Sequence, residues 1–336
     1  MNIREIGEFG LIEEIKTVVG RPPENVLVGI DDDAAAIELS KQHILLLTTD
    51  ALIEDVHFNL SYFNFYQLGW RAMAANLSDI AAMGGWPKYA LVTLGLPPHT
   101  QVENALDLYR GMQRLADSFD IRIVGGDTTH SSERIYISLT VLGEAETDKL
   151  TLRAGAQVGD AIFVTGALGG AQAGLKALTS PNISKEGFAS AVERHLTPNP
   201  RVEEARFLVE NFKIHAMIDV SDGLASEINH ICKHSGVGAV LHEAAIPMDQ
   251  ATGAVAKHFE ENGIEYALYG GEDFELIFTV SENAATELLE KFDATFDSGC
   301  AKIGRITAKS RGIVLSKRDG TQTELQRVGY DHFPKK

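Results

Sequence analysis

The chain has 336 residues, 44% of them hydrophobic and 23% charged, and a formal charge of −17 from 47 acidic and 30 basic residues. That length favours two domains, and so acidic a chain with no basic stripe is a poor match for nucleic acid or an anionic membrane. No apolar run approaches a membrane span, and Cys232 and Cys300 lie far apart outside any zinc spacing, so a reducing, cytoplasmic setting is expected.

Along the chain, VLVGI (26–30) reads as a strand that runs straight into three aspartates, Asp31, Asp32 and Asp33. Two carboxylates about 4 Å apart repel by roughly 4 kcal/mol at an effective dielectric of about 20, so something must cancel them. HILLLTTD (43–50) is a second strand, and residues 65–85 form a helix by the helical spacing of Trp70, Met73, Ala74, Leu77 and Ala81, stopped at Gly84-Gly85. A strand at 88–96, an amphipathic helix at 101–119 and strands at 121–127 and 134–145 complete the first half. The polar, turn-rich stretch 146–160 divides the chain into expected domains 1–147 and 148–336. AIFVTGALGGAQAGLKAL then reads as strand, glycine turn and helix, followed by helices near 200–212 and 223–235 and strands AMIDV, GAVLHE, FELIFTV and GIVLS. The alternation makes the fold class α/β (α+β).

The acids recur at one kind of place. GIDDD, LLLTTD, IVGGD, AMIDVSD and ALYGGED each put Asp or Glu at the end of an apolar strand, and NLSD adds Asp79 inside an apolar helix. One such acid is ordinarily a helix cap or an Asx-turn; six sites of one sort in both halves outweigh that reading. Strand ends converge at one rim of a sheet, and a rim crowded with carboxylates must bind cations or shift its pKa values. Asp carboxylates with the hydroxyls or carbonyls of Thr48 and Thr49 are hard oxygen ligands that suit Mg²⁺ or Mn²⁺ rather than zinc. Mg²⁺ is usually held by a few carboxylates plus substrate phosphates, which makes a nucleotide its natural companion.

Two other signals read as structure. TGALGGAQAG (165–174) is not GxGxxG and serves strand–turn–helix packing, and the chain has no GxxxxGK[ST] loop. In HICKH, His230 and His234 share a helix face while Cys232 points away, so the expectation is solvated surface rather than a zinc site.

GIDDDAAAI, TTDALIEDVHF, NLSDIAAMG, IVGGDTT, LRAGAQVGD, IDVSDGLASE, GGEDFEL and the tail GYDHF, in this order over essentially the whole chain, resemble the thiamine-monophosphate kinase family of the aminoimidazole ribonucleotide synthetase and selenophosphate synthetase superfamily. The resemblance implies a two-domain α/β (α+β) fold whose N-terminal domains pair into a homodimer, with the site in a cleft between domains and subunits. It implies several Mg²⁺ ions and ATP as co-substrate, with thiamine monophosphate converted to thiamine diphosphate. Carried over by position, the metal ligands are Asp32, Thr48, Thr49, Asp50, Asp79, Asp127, Asp219 and Asp222. The ATP contacts are Tyr109, Gly126, Asp127, Arg153 and Ser221; the substrate contacts are His57, Glu272 and Tyr330. Asp50, Asp79, Asp127 and Arg153 would carry catalysis. The family usually has glycine before its Asp-Asp pair and this chain has Asp31, so Asp32 is the expected ligand and Asp33 the alternative if the register slips by one.

The expected chemistry is direct in-line transfer, in which charge neutralisation and positioning matter more than a general base. The rivals are an aminoimidazole ribonucleotide synthetase-like enzyme, a non-catalytic Mg-nucleotide sensor and a metal-dependent phosphatase. The N-terminal 40 residues lack the reactive cysteine of selenophosphate synthetase, and the tail lacks the cysteine of the hydrogenase-maturation relative.

Overall fold

Two mixed sheets, one in each half of the chain, organise the computed structural model, which describes residues 3–30, 32–180, 185–325 and 332. The first half runs α1 (Ile3–Val19), β1 (Val26–Val28), β2 (Ala35–Glu38), β3 (His43–Ile53), α2 (Phe65–Ala82), β4 (Trp86–Leu96), α3 (Val102–Ser118), β5 (Arg122–His130) and β6 (Tyr136–Glu146). Its strands lie in the order β1-β2-β3-β6-β4-β5, antiparallel throughout except for β4 with β5.

The second half runs β7 (Ala161–Thr165), α4 (Gly170–Thr179), α5 (Ala189–Leu196), α6 (Val202–Asn211), β8 (Ile214–Asp219), α7 (Leu224–Ser235), β9 (Gly238–His242), α8 (Gln250–His258), α9 (Gly263–Tyr269), β10 (Leu276–Val280), α10 (Ala285–Asp293), β11 (Cys300–Thr307), β12 (Ile313–Ser316) and β13 (Gln322–Glu324). These strands lie in the order β13-β12-β9-β11-β7-β10-β8.

Alternation along β3 sets the two faces of the first sheet. Ile44, Leu46, Thr48 and Leu52 are buried on the side of α2, while Leu45, Leu47, Thr49 and Ala51 face the other way. That other face is open and partly apolar: Tyr89, Leu91, Val124 and Tyr136 are 49%, 40%, 57% and 37% exposed.

The central helix is α2. Asn64 caps it in a reciprocal box with Gln67, which satisfies backbone N–H groups that a helix start leaves orphaned. It packs on α3 backbone to backbone, since a Cβ on Gly69 or Gly111 would fall 1.9 Å from a carbonyl of the facing helix. One hydrophobic core runs from the first sheet through α2 and α6 to β7, β8 and β10, so the two halves share an interior. Arg206 on α6, 3% exposed, crosses between them by donating to the Gly84 carbonyl and to Glu146.

Candidate active site

The site is built where α2 passes the ends of β3 and β8. Alternation on β3 sends Thr48 and Asp50 to the same face, towards α2. Thr48 Oγ1 donates to Asp79 Oδ2 at 2.5 Å, and the Asp50 backbone N–H donates to Asn76 Oδ1 at 3.2 Å. Ser78 Oγ donates to Asp219 Oδ2 at 2.6 Å, which ties α2 to the end of β8. Single carboxylate oxygens of Asp33, Asp79 and Asp219 lie within 4.8 Å of one another.

So much buried negative charge resists ionisation. Burial, with repulsion from Asp50, Asp219 and Asp33, holds Asp79 far above the usual carboxylate range. Burial and then Asp33 push Asp219 up to about 8. Asp33 and Asp50 are also raised, chiefly by burial. The donor set is all hard oxygen, carboxylate and hydroxyl, and fits Mg²⁺ rather than a soft metal.

Two cavities flank the cluster. The larger, about 860 Å³, is lined by α1 and by Asp32, Asp33, Thr48, Arg153, His230 and Lys233. Here the Arg153 guanidinium grips Asp33 through Nε (3.2 Å) and Nη2, while its backbone N–H points at Asp32 (3.3 Å). Both acids line this cavity, but Asp33 also closes the three-acid cluster, whereas Asp32, pushed up to about 7 by burial and by Asp33, stands outside it.

The smaller cavity, about 490 Å³, is lined by Asp50, His57, Tyr62, His195, Ser221, Asp222 and Glu272 among others. His57 Nδ1 accepts from the Ile53 N–H at 2.9 Å, and burial followed by His332 lowers its pKa, so the ring is neutral near pH 7. Glu272 sits at φ 71°, a strained backbone for a residue with a side chain, and its N–H donates to the Ser221 carbonyl at 2.8 Å.

One chain does not gather every expected residue. Asp127 is exposed on β5, the far edge strand, three strands from β3 and therefore roughly 14 Å away at about 4.8 Å per strand. Its register partner is Thr93, in a row with Ser138 and Ala51 on the open face. The Thr49 hydroxyl also turns to that face, donating to the Leu139 carbonyl at 2.9 Å, although Thr49 still lines the larger cavity beside Thr48. Gly126 has φ 155° and a Cβ there would meet the Val92 carbonyl at 1.9 Å, so β4 requires glycine. Tyr109 packs on α3 against the core, outside both cavities. Tyr330 and Asp31 lie outside the described residues.

Other residues belong to the site without having been read from the sequence. Arg71 lies beneath Glu272, and His195 lines the smaller cavity. Glu227, fully buried on α7, accepts the Asp222 N–H at 3.0 Å and is held well above its usual range by burial, Asp222 and Asp219. The expectation of a solvated HICKH face needs correcting: His230 and Cys232 are 8% and 3% exposed, Cys232 within the core of the second half and His230 with Phe9 of α1 packed 5.8 Å from its ring. The three-acid cluster is the group placed to hold a metal ion among the described residues.

The chain is similar to known proteins along nearly its whole length. The AIR synthase related protein family matches in two parts, its N-terminal domain over residues 31–145 and its C-terminal domain over residues 157–317. The chain is similar to the thiamine-monophosphate kinase of Bacillus subtilis (strain 168), 38% identical over 331 residues that cover 97% of this chain and 99% of the relative. It is 36% identical to that of Aquifex aeolicus (strain VF5) over 334 residues, 99% of this chain and 100% of the relative. Among solved structures it is similar to AaThiL complexed with AMPPCP and TMP, at 34% identity and a TM-score of 0.85, covering 99% of both chains. Hydrogenase maturation protein HypE in complex with ATP shares the fold at 20% identity and a TM-score of 0.70, over 91% of each chain.

Proposed function

This chain belongs to the AIR synthase related family, in its thiamine-monophosphate kinase branch, and from that premise we propose how it phosphorylates thiamine monophosphate with ATP. The observation that carries the reading is the meeting of acids from both halves of the chain, Asp33, Asp50 and Asp79 with Asp219, between two cavities. ATP occupies the larger cavity beside Arg153, thiamine monophosphate the smaller one beside His57 and Glu272, and their phosphates meet at the cluster.

The acceptor is a phosphate monoester whose second pKa is about 6, so it is largely ionised at neutral pH and needs no strong base. The difficulty is to bring two anionic phosphates into line, which makes positioning and charge neutralisation the catalytic task. Asp33, Asp79 and Asp219 with the Thr48 hydroxyl would hold Mg²⁺, and Asp32, Asp50 and Asp222 stand at the rims as further ligands. Bound Mg²⁺ supplies positive charge to the phosphate oxygens. Arg153 contributes a fixed cationic fork, and Ser221 lines the substrate cavity.

Asp127, Thr49 and Gly126 enter this scheme through a second copy of the chain. The open face of the first sheet carries Asp127 and Thr49 among exposed Tyr89, Leu91, Val124 and Tyr136, and its burial in a homodimer would bring Asp127 of the partner subunit to the rim of the site. In this scheme residues 1–147 hold metal and nucleotide and form the dimer face, and residues 148–336 complete the substrate site. No described helix is long and apolar enough to cross a membrane, which accords with a cytoplasmic kinase.

The decisive assay incubates the protein with MgATP and thiamine monophosphate. Thiamine diphosphate with stoichiometric ADP is expected; ADP with free phosphate, or no product, contradicts the reading.

A further inference from the structure

Under the smaller cavity, Arg71 of α2 is 1% exposed and divides its guanidinium among three partners. One nitrogen donates to the His195 carbonyl, another pairs with Glu272 Oε1, and the carbon lies 5.6 Å from the Phe63 ring centre. Glu272 is held just as firmly. Its neighbour Asp273 accepts the Gly169 and Ala171 N–H groups at 2.6 and 2.9 Å, which pins the turn to the start of α4. The Glu272 side chain is 36% exposed, so with Oε1 bound beneath, the carboxylate still reaches the cavity. Its Oε2 lies 3.9 Å from His195 Nδ1, and His195 is neutral because burial and Arg71 push its pKa down to about 2.

A lone carboxylate in a cavity attracts any cation. A carboxylate already paired with a buried guanidinium has its charge largely cancelled, and what remains is a fixed, directional hydrogen-bond acceptor. We propose that Arg71 is a specificity-determining positioning residue that turns Glu272 from a counter-ion into an oriented acceptor. The cavity then recognises the amino group on the substrate's pyrimidine ring rather than the positive charge of its thiazolium ring. This rests on the placement of thiamine monophosphate in that cavity.

Three acceptors separate the two modes of recognition: thiamine monophosphate, the uncharged analogue with thiophene in place of thiazolium, and the analogue with a carbonyl in place of the pyrimidine amine. With the wild-type protein, the uncharged analogue should keep a KM within about threefold of thiamine monophosphate. The carbonyl analogue should lose about a hundredfold in kcat/KM, because it sets an acceptor against an acceptor. In Arg71→Gln, KM for thiamine monophosphate should rise about tenfold with a smaller change in kcat, and the uncharged analogue should become the poorer substrate of the two as Glu272 regains its charge. A tenfold or greater weakening of the uncharged analogue with the wild-type protein, or an unchanged ranking in Arg71→Gln, overturns the proposal. The wild-type comparison decides even if the variant fails to fold. No turnover of thiamine monophosphate by the wild type would instead overturn the kinase reading, and this proposal with it.

Discussion

Thr48 and Asp50 stand two residues apart on β3 and point to the same face of the sheet, yet they line different cavities. β3 is therefore the partition between the two chambers, and the acid cluster sits at that partition, where Thr48 donates to Asp79. Two phosphate-bearing molecules entering from opposite sides would meet there.

Asp50→Asn should lower kcat by about a thousandfold, because a ligand for positive charge at the meeting point is lost. The fold should survive. At pH of about 8 and without metal, thermal stability should rise by about 1 kcal/mol, since a buried carboxylate that also repels Asp79 and Asp219 is gone. Steady-state kinetics and a melting curve check both halves of the claim; near-normal turnover would remove Asp50 from the mechanism.

The raised acids give a pH dependence with a definite sign. Asp32 and Asp219 are pushed up to about 7 and about 8, above the unfolded carboxylate value of about 3.9. The native chain thus holds protons that the unfolded chain has released, so the contribution of these two acids to metal-free stability is fullest below about pH 4 and is lost as pH rises towards 8. Mg²⁺ competes with those protons, so its stabilising effect should grow over the same range. Melting temperatures with and without Mg²⁺ at pH of about 5.5 and about 8.5 test this linkage. An equal Mg²⁺ increment at both values would contradict it.

A site shared between subunits, as proposed, would make complementation possible. Asp50→Asn and Asp127→Asn homodimers should each be nearly inactive. Mixed and allowed to exchange subunits, they should recover about a quarter of wild-type activity, since half the dimers are then heterodimers with one intact site each. No recovery, with heterodimers demonstrated by mass spectrometry, would place both residues in a site made by one chain.

Gly126→Ala should destabilise the protein by about 2 kcal/mol or more, because φ 155° and the Val92 carbonyl leave no room for a methyl group. Chemical denaturation measures this. Unchanged stability with lost nucleotide affinity would mean that this glycine matters for ATP alone.

Much of this was legible in the sequence, for identifiable reasons. The strands at 43–53, 86–96 and 136–146 combine apolar alternation with β-branched residues, and α2 and α3 have strong helical periodicity, so local pattern and tertiary burial agree. α1 escaped notice because Gly7 and Gly10 interrupt its pattern, and β11 because Lys302, Gly304 and Arg305 dilute its apolar residues. Of the acids read as strand ends, Asp219 does end β8, but Asp50 and Asp127 lie within β3 and β5 and Glu272 follows helix α9. The spacing alone left Asp32 and Asp33 open; the separation arises from Arg153, 120 residues away, which grips Asp33. Adjacent threonines looked equivalent, and the pleat turned Thr48 to the cluster and Thr49 away from it. Arg71 and His195 belong to no motif, and their meaning appears only when Glu272 is folded over them.

If the acid cluster is the metal-holding meeting point of the two substrates, metal must bind there when both are present. Anomalous scattering from Mn²⁺, in crystals grown with a non-hydrolysable ATP analogue and thiamine monophosphate, tests it most directly. Peaks are expected about 2.2 Å from oxygens of Asp79 and Asp219, between the two cavities. Well-ordered substrates with Mn²⁺ bound elsewhere, and the cluster bare, would contradict it.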